Sequence, residues 1–228
     1  MSPDDAGPTR FGELWARPAV ASALRRSVAV LMVLGALLLA VPAVAYAGST
    51  QPSRLDRWIQ PVVNTPAVAW PAALAVDWTG QPAGRTLLVL AVAGLCLVAR
   101  RRRLAVTAFV GTILASVLAT VLKHVVGRRI HGDFLSYPSG HTAAATAIGV
   151  VLGLLLADLL SVGRVVGTAL VLGPAVICGG LMAWSQIDLT AHYPTDTIGG
   201  FGSALLVIPA TALLIDKLVE REWVWPAP

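Results

Sequence analysis

The chain has 228 residues, 56% of them hydrophobic and 13% charged, with a formal net charge of +5; an ordinary soluble domain is about a quarter charged. Ser27–Ser53, Leu104–Leu122, Val165–Ile187 and Thr197–Ile215 contain no charged residue at all, and a bilayer span needs about 20 apolar residues. Runs of this kind exclude a soluble globule, a disordered chain and a secreted disulfide scaffold, and leave an all-α integral membrane protein.

In chain order, residues 1–26 are polar, carry Arg10, Arg17, Arg25 and Arg26, and read as a cytoplasmic tail. The first predicted span is about Ser27–Ala47. Ala45-Tyr46-Ala47 before Gly48 also resembles a signal-peptidase site, and either reading puts Gly48 outside the cytoplasm. Residues 48–84 are rich in proline and carry Trp58, Trp70 and Trp78, which suits a segment lying along the outer interface. The second span, Thr86–Ala99, reaches an adequate length only when extended back to Pro82 with Arg85 snorkelling. Arg100–Arg103 then reads as a cytoplasmic stop. Spans three to six are Leu104–Val126, Ser139–Leu160, Val165–Trp184 and Pro194–Ile215. A charged tail, 216–228, follows, with Trp223 and Trp225 near the interface.

The expected fold is therefore six transmembrane helices within residues 27–215, with both termini cytoplasmic. In that topology eleven of the 17 basic residues lie inside and six outside, as the positive-inside rule requires. The basic excess sits beside hydrophobic spans, so it reads as orientation and not as nucleic-acid binding. Cys96 and Cys178 lie in apolar runs and read as small packed hydrophobes. The sequence carries no signal for an oligomeric state.

Ionisable groups at a membrane edge are functional candidates by default. Lys123, His124, Arg128, Arg129 and His131 follow span three, Ser139 and His141 open span four, and His192 and Asp196 open span six. All four histidines thus fall on the outer side. Singly these residues have structural readings: Lys123 can snorkel, the arginines can meet headgroups, and proline and aspartate suit a first helical turn. Together they suit phosphoryl transfer. Ser139-Gly140 opens a helix whose free N–H groups can face an anion, with Lys123 and an arginine supplying positive charge. His192 can act as nucleophile, Asp196 can fix its tautomer, and His141 can protonate the leaving oxygen. No carboxylate cluster calls for a metal, and no cofactor is expected.

These motifs resemble the type 2 phosphatidic acid phosphatases, the PAP2 superfamily, over roughly residues 104–215. Of its three motifs, Pro-Ser-Gly-His stands intact as Pro138-Ser139-Gly140-His141. The third, Ser-Arg, five residues, His, three residues, Asp, matches in spacing from Ser185 through His192 to Asp196. The resemblance implies a six-span bundle in the cell membrane, its active site on the extracytoplasmic face. It implies a phosphohistidine on His192 oriented by Asp196, with His141 as general acid and Lys123, Ser139 and Gly140 holding phosphate. The first motif, Lys, six residues, Arg-Pro, departs from the pattern: Ile130 and His131 stand after Lys123 where the family has Arg-Pro. In the third, Gln186 replaces arginine. Arg128 or Arg129 is expected to cover part of that loss, with Gln186 as a neutral phosphate ligand.

The implied function is a metal-independent lipid phosphatase acting on a lipid phosphate or diphosphate, with a polyprenyl diphosphate such as undecaprenyl diphosphate as the leading substrate. Phosphatidic acid and phosphatidylglycerophosphate are the alternatives. A lipid phosphotransferase and a non-catalytic lipid-phosphate binding or transport protein are the rival classes.

Overall fold

The computed structural model describes residues 15–64 and 69–224. Most of the expected amino-terminal tail, including Arg10, lies outside those residues, as does Trp225. The described chain forms eight helices: α1 Arg25–Ala45, α2 Arg54–Val63, α3 Trp70–Gly80, α4 Pro82–Val98, α5 Arg102–Val126, α6 Gly140–Leu159, α7 Arg164–Asp188 and α8 Pro194–Val224. One turn of α5, Thr107–Gly111, is π-helical. Between α5 and α6 a small antiparallel hairpin pairs Arg129–Ile130 (β1) with Phe134–Leu135 (β2).

Five of these helices, α1 and α5 to α8, are long and apolar enough to cross a membrane. The α3–α4 pair, bent by 66°, makes a sixth candidate if it counts as one broken span. The chain is thus a multi-pass helical membrane protein. Its core inverts the soluble pattern only at the surface: Val33, Val41, Leu87, Val117 and Ile177 face outwards, where lipid tails accept them without hydrophobic cost.

Helix α6 is the central post, with 67% of its apolar window buried. Small residues let its neighbours approach. A Cβ at Gly149 or Gly153 would strike the α7 backbone at Pro174–Ala175 or Leu170–Val171. Gly35 of α1 and Gly202 of α8 meet in the same way, each with the other's carbonyl oxygen 2.7 Å from where its Cβ would sit. This is the small-residue packing expected where dispersion, not water exclusion, holds helices together.

Three elements differ from the sequence reading. Residues 48–84 do not merely rest on an interface: α2 begins with a capping box between Ser53 and Asp56, and α3 packs on α6 and α7. Helix α8 continues to Val224, well past the boundary expected near Ile215, because Asp216 is buried inside the bundle. It accepts the backbone N–H groups of Ala19 and Val20 at 2.7 and 3.1 Å and pairs with Arg103 at 3.1 Å. Arg101 likewise pairs with Asp158. Two members of the four-arginine stop are therefore buried structural cations that tie α5, α6 and α8 together at the ends remote from Ser139 and His192.

Candidate active site

The site forms where the amino-terminal ends of α6 and α8 meet. Each end has a local reason to start where it does. Ser139 is the N-cap of α6 and accepts the N–H of Thr142 at 3.3 Å. At α8, Pro194 occupies the first turn, and Asp196 Oδ2 reaches back to accept the N–H of Tyr193 at 3.0 Å, half of a capping box. The two ends are joined by the Ser139 N–H, which donates to the Asp196 backbone carbonyl at 2.9 Å. Gly199 and Gly200 permit this contact, since a Cβ on either would strike Tyr137 or the Ser139 carbonyl.

After α7 the chain turns back so that the His192 N–H reaches the Gln186 carbonyl at 3.2 Å. This places the His192 ring inside the protein, 7% exposed. Its Nδ1 lies 3.6 Å from Asp196 Oδ2, just beyond hydrogen-bond reach, and has no other partner among the described residues. Such contacts are often long in unliganded sites and tighten around substrate. Burial pushes the imidazole below its ordinary range, against the facing Asp196 carboxylate, which favours the protonated ring.

His141 sits in the first turn of α6. Its Nε2 is buried without a hydrogen-bond partner, 3.7 Å from Asp77 Oδ1. His192, Lys123, Arg85 and Asp77 all lie close enough to act on its charge. Lys123, at the end of α5, donates to the Leu135 carbonyl at 2.8 Å and acts electrostatically on both His192 and His141. Gly140 stands beside open space, with nothing within 4 Å of where a Cβ would be. The structure therefore brings together His192, Asp196, His141, Lys123, Ser139 and Gly140: two histidines, a cation and a helix N-terminus, the parts a phosphoryl group in transit requires.

The other expected ligands are placed differently. Arg128 is fully buried behind Asp196. Its Nη1 donates to Asp196 Oδ1 and Thr195 Oγ1, and its Nη2 donates to Asp56 Oδ2, each at 2.6 Å. The guanidinium lies 4.7 Å from the ring centroids of both Tyr46 and Tyr193. Both terminal nitrogens are engaged by carboxylates, one of which, Asp196, also faces His192. Arg129 is half exposed on the hairpin and pairs with Asp133 at 3.3 Å; its β1 neighbour Ile130 points inwards. Both guanidiniums, expected as phosphate ligands, are thus engaged by carboxylates here. Gln186 is close to the site, but its amide donates to Asp77 Oδ1 at 2.7 Å. His124 and His131 bond to the carbonyls of Thr120 and Thr190 and take no part.

Two carboxylates were missed by sequence reasoning. Asp77 stands between Gln186, His141 and the Gln81 amide, which bonds Oδ2 at 2.9 Å. Asp56 is fully buried and also accepts the Thr195 N–H and Oγ–H at 2.8 Å each. Its own burial opposes ionisation, but these donors and Ser53 hold its carboxyl below the usual carboxylate range. A signal was available. Asp77 is the sole acidic residue between Asp56 and Asp133, and a lone charge in an apolar stretch marks a site by default. Among the described residues no group of three or more His, Cys, Asp or Glu could hold a metal ion.

The sequence pattern of the PAP2 superfamily matches residues 104–220, just over half of the chain. No curated protein matches it. Among solved structures it is similar to a transmembrane PAP2-type phosphatidylglycerolphosphate phosphatase from Bacillus subtilis. The TM-score is 0.60 at 20% identity, covering 85% of this chain and 96% of the other.

Proposed function

The chain belongs to the PAP2 superfamily, and from that premise we propose that it is a membrane lipid phosphatase working through a phosphohistidine on His192. The carrying observation is the approach of the buried His192 and the partly exposed His141 from different helix ends beside Lys123 and the open first turn of α6. With Nδ1 facing Asp196, the lone pair of His192 Nε2 attacks phosphorus. The bond from phosphorus to the leaving oxygen breaks, and that oxygen takes a proton from His141. Water then attacks the phosphohistidine and gives its proton to His141, the N–P bond breaks, and phosphate departs. Lys123 and the N–H groups at Ser139-Gly140 offset the charge on the equatorial oxygens.

Asp196 and Asp77 are the positioning carboxylates, facing His192 and His141 respectively. Gln186 contributes through Asp77, and Arg128 contributes by holding Asp196. This reading takes the α3–α4 pair as one broken span, giving six spans with both termini cytoplasmic and the site extracytoplasmic. The substrate is a lipid phosphate or diphosphate: a polyprenyl diphosphate such as undecaprenyl diphosphate, or phosphatidylglycerophosphate, the substrate class named for the Bacillus neighbour. The residues in place supply the proton transfers and charge compensation without a metal.

The test is phosphate release by the detergent-purified chain, with EDTA present, from undecaprenyl diphosphate, phosphatidylglycerophosphate and phosphatidic acid. Release that persists in EDTA and is blocked by vanadate is the expected outcome. Release that requires a divalent ion overturns metal independence, and binding without release supports a lipid-phosphate binder instead.

The packing of α3 on the site supplies a second test. A Cβ at Gly80 would fall on the His141 ring, 2.9 Å from Cγ and nearer still to Cδ2, with backbone on one side and an imidazole fixed by its own helix on the other. A displacement of this order at a reacting group costs up to about a hundredfold. Gly80→Ala is therefore expected to lower kcat about 10- to 100-fold while the protein still melts cooperatively. An unchanged kcat would show that the observed seat of His141 is not the working one.

A further inference from the structure

A cavity of about 400 Å³ opens between α4 and α5. Its walls are mostly apolar, including Val89, Phe109, Ile113 and Val117. The polar groups Arg85, Thr86, Thr112 and Ser116 are set among them. Leu90, Ile113 and Val117 are also exposed on the outer faces of these helices, so the cavity opens sideways to where lipid tails lie. Its size and mixed lining are those of a ligand site.

Arg85 is the unusual member. Arg101, Arg103 and Arg128 are each paired with carboxylates. Arg85 pairs with none among the described residues, and its side-chain bond is a long one, 3.4 Å from Nη1 to Ser116 Oγ. It lies just across the bend from Gly80, the residue packed against His141, close enough to act on the charge of His141, and its N–H is tied to the Gln81 carbonyl at 2.9 Å. A half-buried guanidinium in an apolar wall without a counter-ion is costly unless a ligand supplies the charge. At the reacting position, meanwhile, Ile130 and Gln186 leave Lys123 as the nearby cation, and Asp77 adds negative charge there. A substrate carrying more than one phosphate needs a second cation next to the first, and among the described residues Arg85 is the other cation that acts on His141.

Building on the phosphatase reading, we propose that Arg85 binds the second, non-transferred phosphate of the substrate while the apolar cavity walls take part of its chain, so that the site selects lipids with two phosphates over lipid monophosphates. The second phosphate is either the one retained from a lipid diphosphate or the phosphodiester of a lipid that also carries a phosphomonoester.

The test compares kcat/KM for wild type, Arg85→Lys and Arg85→Ala in a neutral detergent. The substrates are undecaprenyl diphosphate, phosphatidylglycerophosphate and phosphatidic acid. A charge-assisted contact of this kind corresponds to about a 10- to 100-fold effect. The ratio of two-phosphate to one-phosphate kcat/KM is expected to fall by that amount in Arg85→Ala and to be partly restored in Arg85→Lys. The arm that falls further, diphosphate or phosphodiester, identifies which second phosphate is bound. An unchanged ratio overturns the inference, whether all substrates lose equally or none does; this includes a role confined to bulk headgroups, which would show only as altered melting in anionic vesicles. If the wild type releases no phosphate from any lipid, the phosphatase reading falls. The inference is then read from equilibrium binding of the same three lipids, where Arg85→Ala must weaken the two-phosphate lipids selectively or be discarded.

Discussion

His192→Ala is expected to abolish phosphate release, by at least about ten-thousandfold, while the protein still melts cooperatively. The size follows from the role: a nucleophile removed from a unit that acts together takes nearly all of the chemical step with it. The loss of stability should be limited, since Nδ1 of the buried ring has no hydrogen-bond partner within reach among the described residues and the ring's contact with the Ser136 backbone is a single bond. Acid-labile, alkali-stable phosphate on the wild-type protein during turnover, absent from the variant, would identify the phosphohistidine directly. The pH profile gives an independent check. Attack requires the neutral ring, and burial lowers its protonation below the ordinary value near 6.5. A lowered value keeps the ring neutral further into acid, so the acid limb of kcat/KM should lie below about 6.5. Asp196 opposes that shift, so Asp196→Asn should move the limb further down while cutting kcat. A variant His192→Ala that still turned over, or an acid limb above the ordinary histidine value, would remove His192 from the nucleophile's role.

Arg128→Ala is expected to be the most destabilising single change around the site. It leaves Asp56 and Asp196, both fully buried, without their shared cation, and breaking a buried pair in this way costs about 3–5 kcal/mol. It also frees Asp196 to leave His192 and unpins α2, so activity should fall together with stability. Arg128→Lys should recover little, because an ammonium cannot span two carboxylates and stack between Tyr46 and Tyr193 as the planar fork does. Arg129→Ala should do almost nothing, since exposed pairs contribute about 0–1 kcal/mol. Melting in detergent and kcat distinguish this from direct phosphate binding. A variant Arg128→Ala with wild-type melting and only a raised KM would return the residue to the phosphate.

How much of this was legible depended on the kind of contact. Charge-free runs and the bilayer's fixed thickness made the spans readable, apart from the kink at Gly80–Pro82 and the extension of α8. The extension depends on Asp216 meeting Arg103 and the backbone of residues 19 and 20, partners that no local pattern announces. His141, Ser139, His192 and Asp196 could be named because each lies within a short motif at a helix start, where sequence spacing sets geometry. The neighbours of those residues could not. Arg128 and Arg129 are adjacent in sequence and chemically alike, yet one is wholly buried between two carboxylates and the other half exposed on a hairpin. Asp56, Asp77, Gly80 and Arg85 come from the segment that reads as interfacial, and nothing in its composition shows that α2 and α3 fold down onto α6 to α8. The sequence by itself determined a helical membrane protein and which motif residues stand at the starts of α6 and α8, since apolar length and motif spacing are local properties. Which charges face those groups, which are locked behind them and which remains unpaired was decided by the tertiary structure alone, because a charge in a low-dielectric interior takes its role from the partner brought within a few ångströms of it.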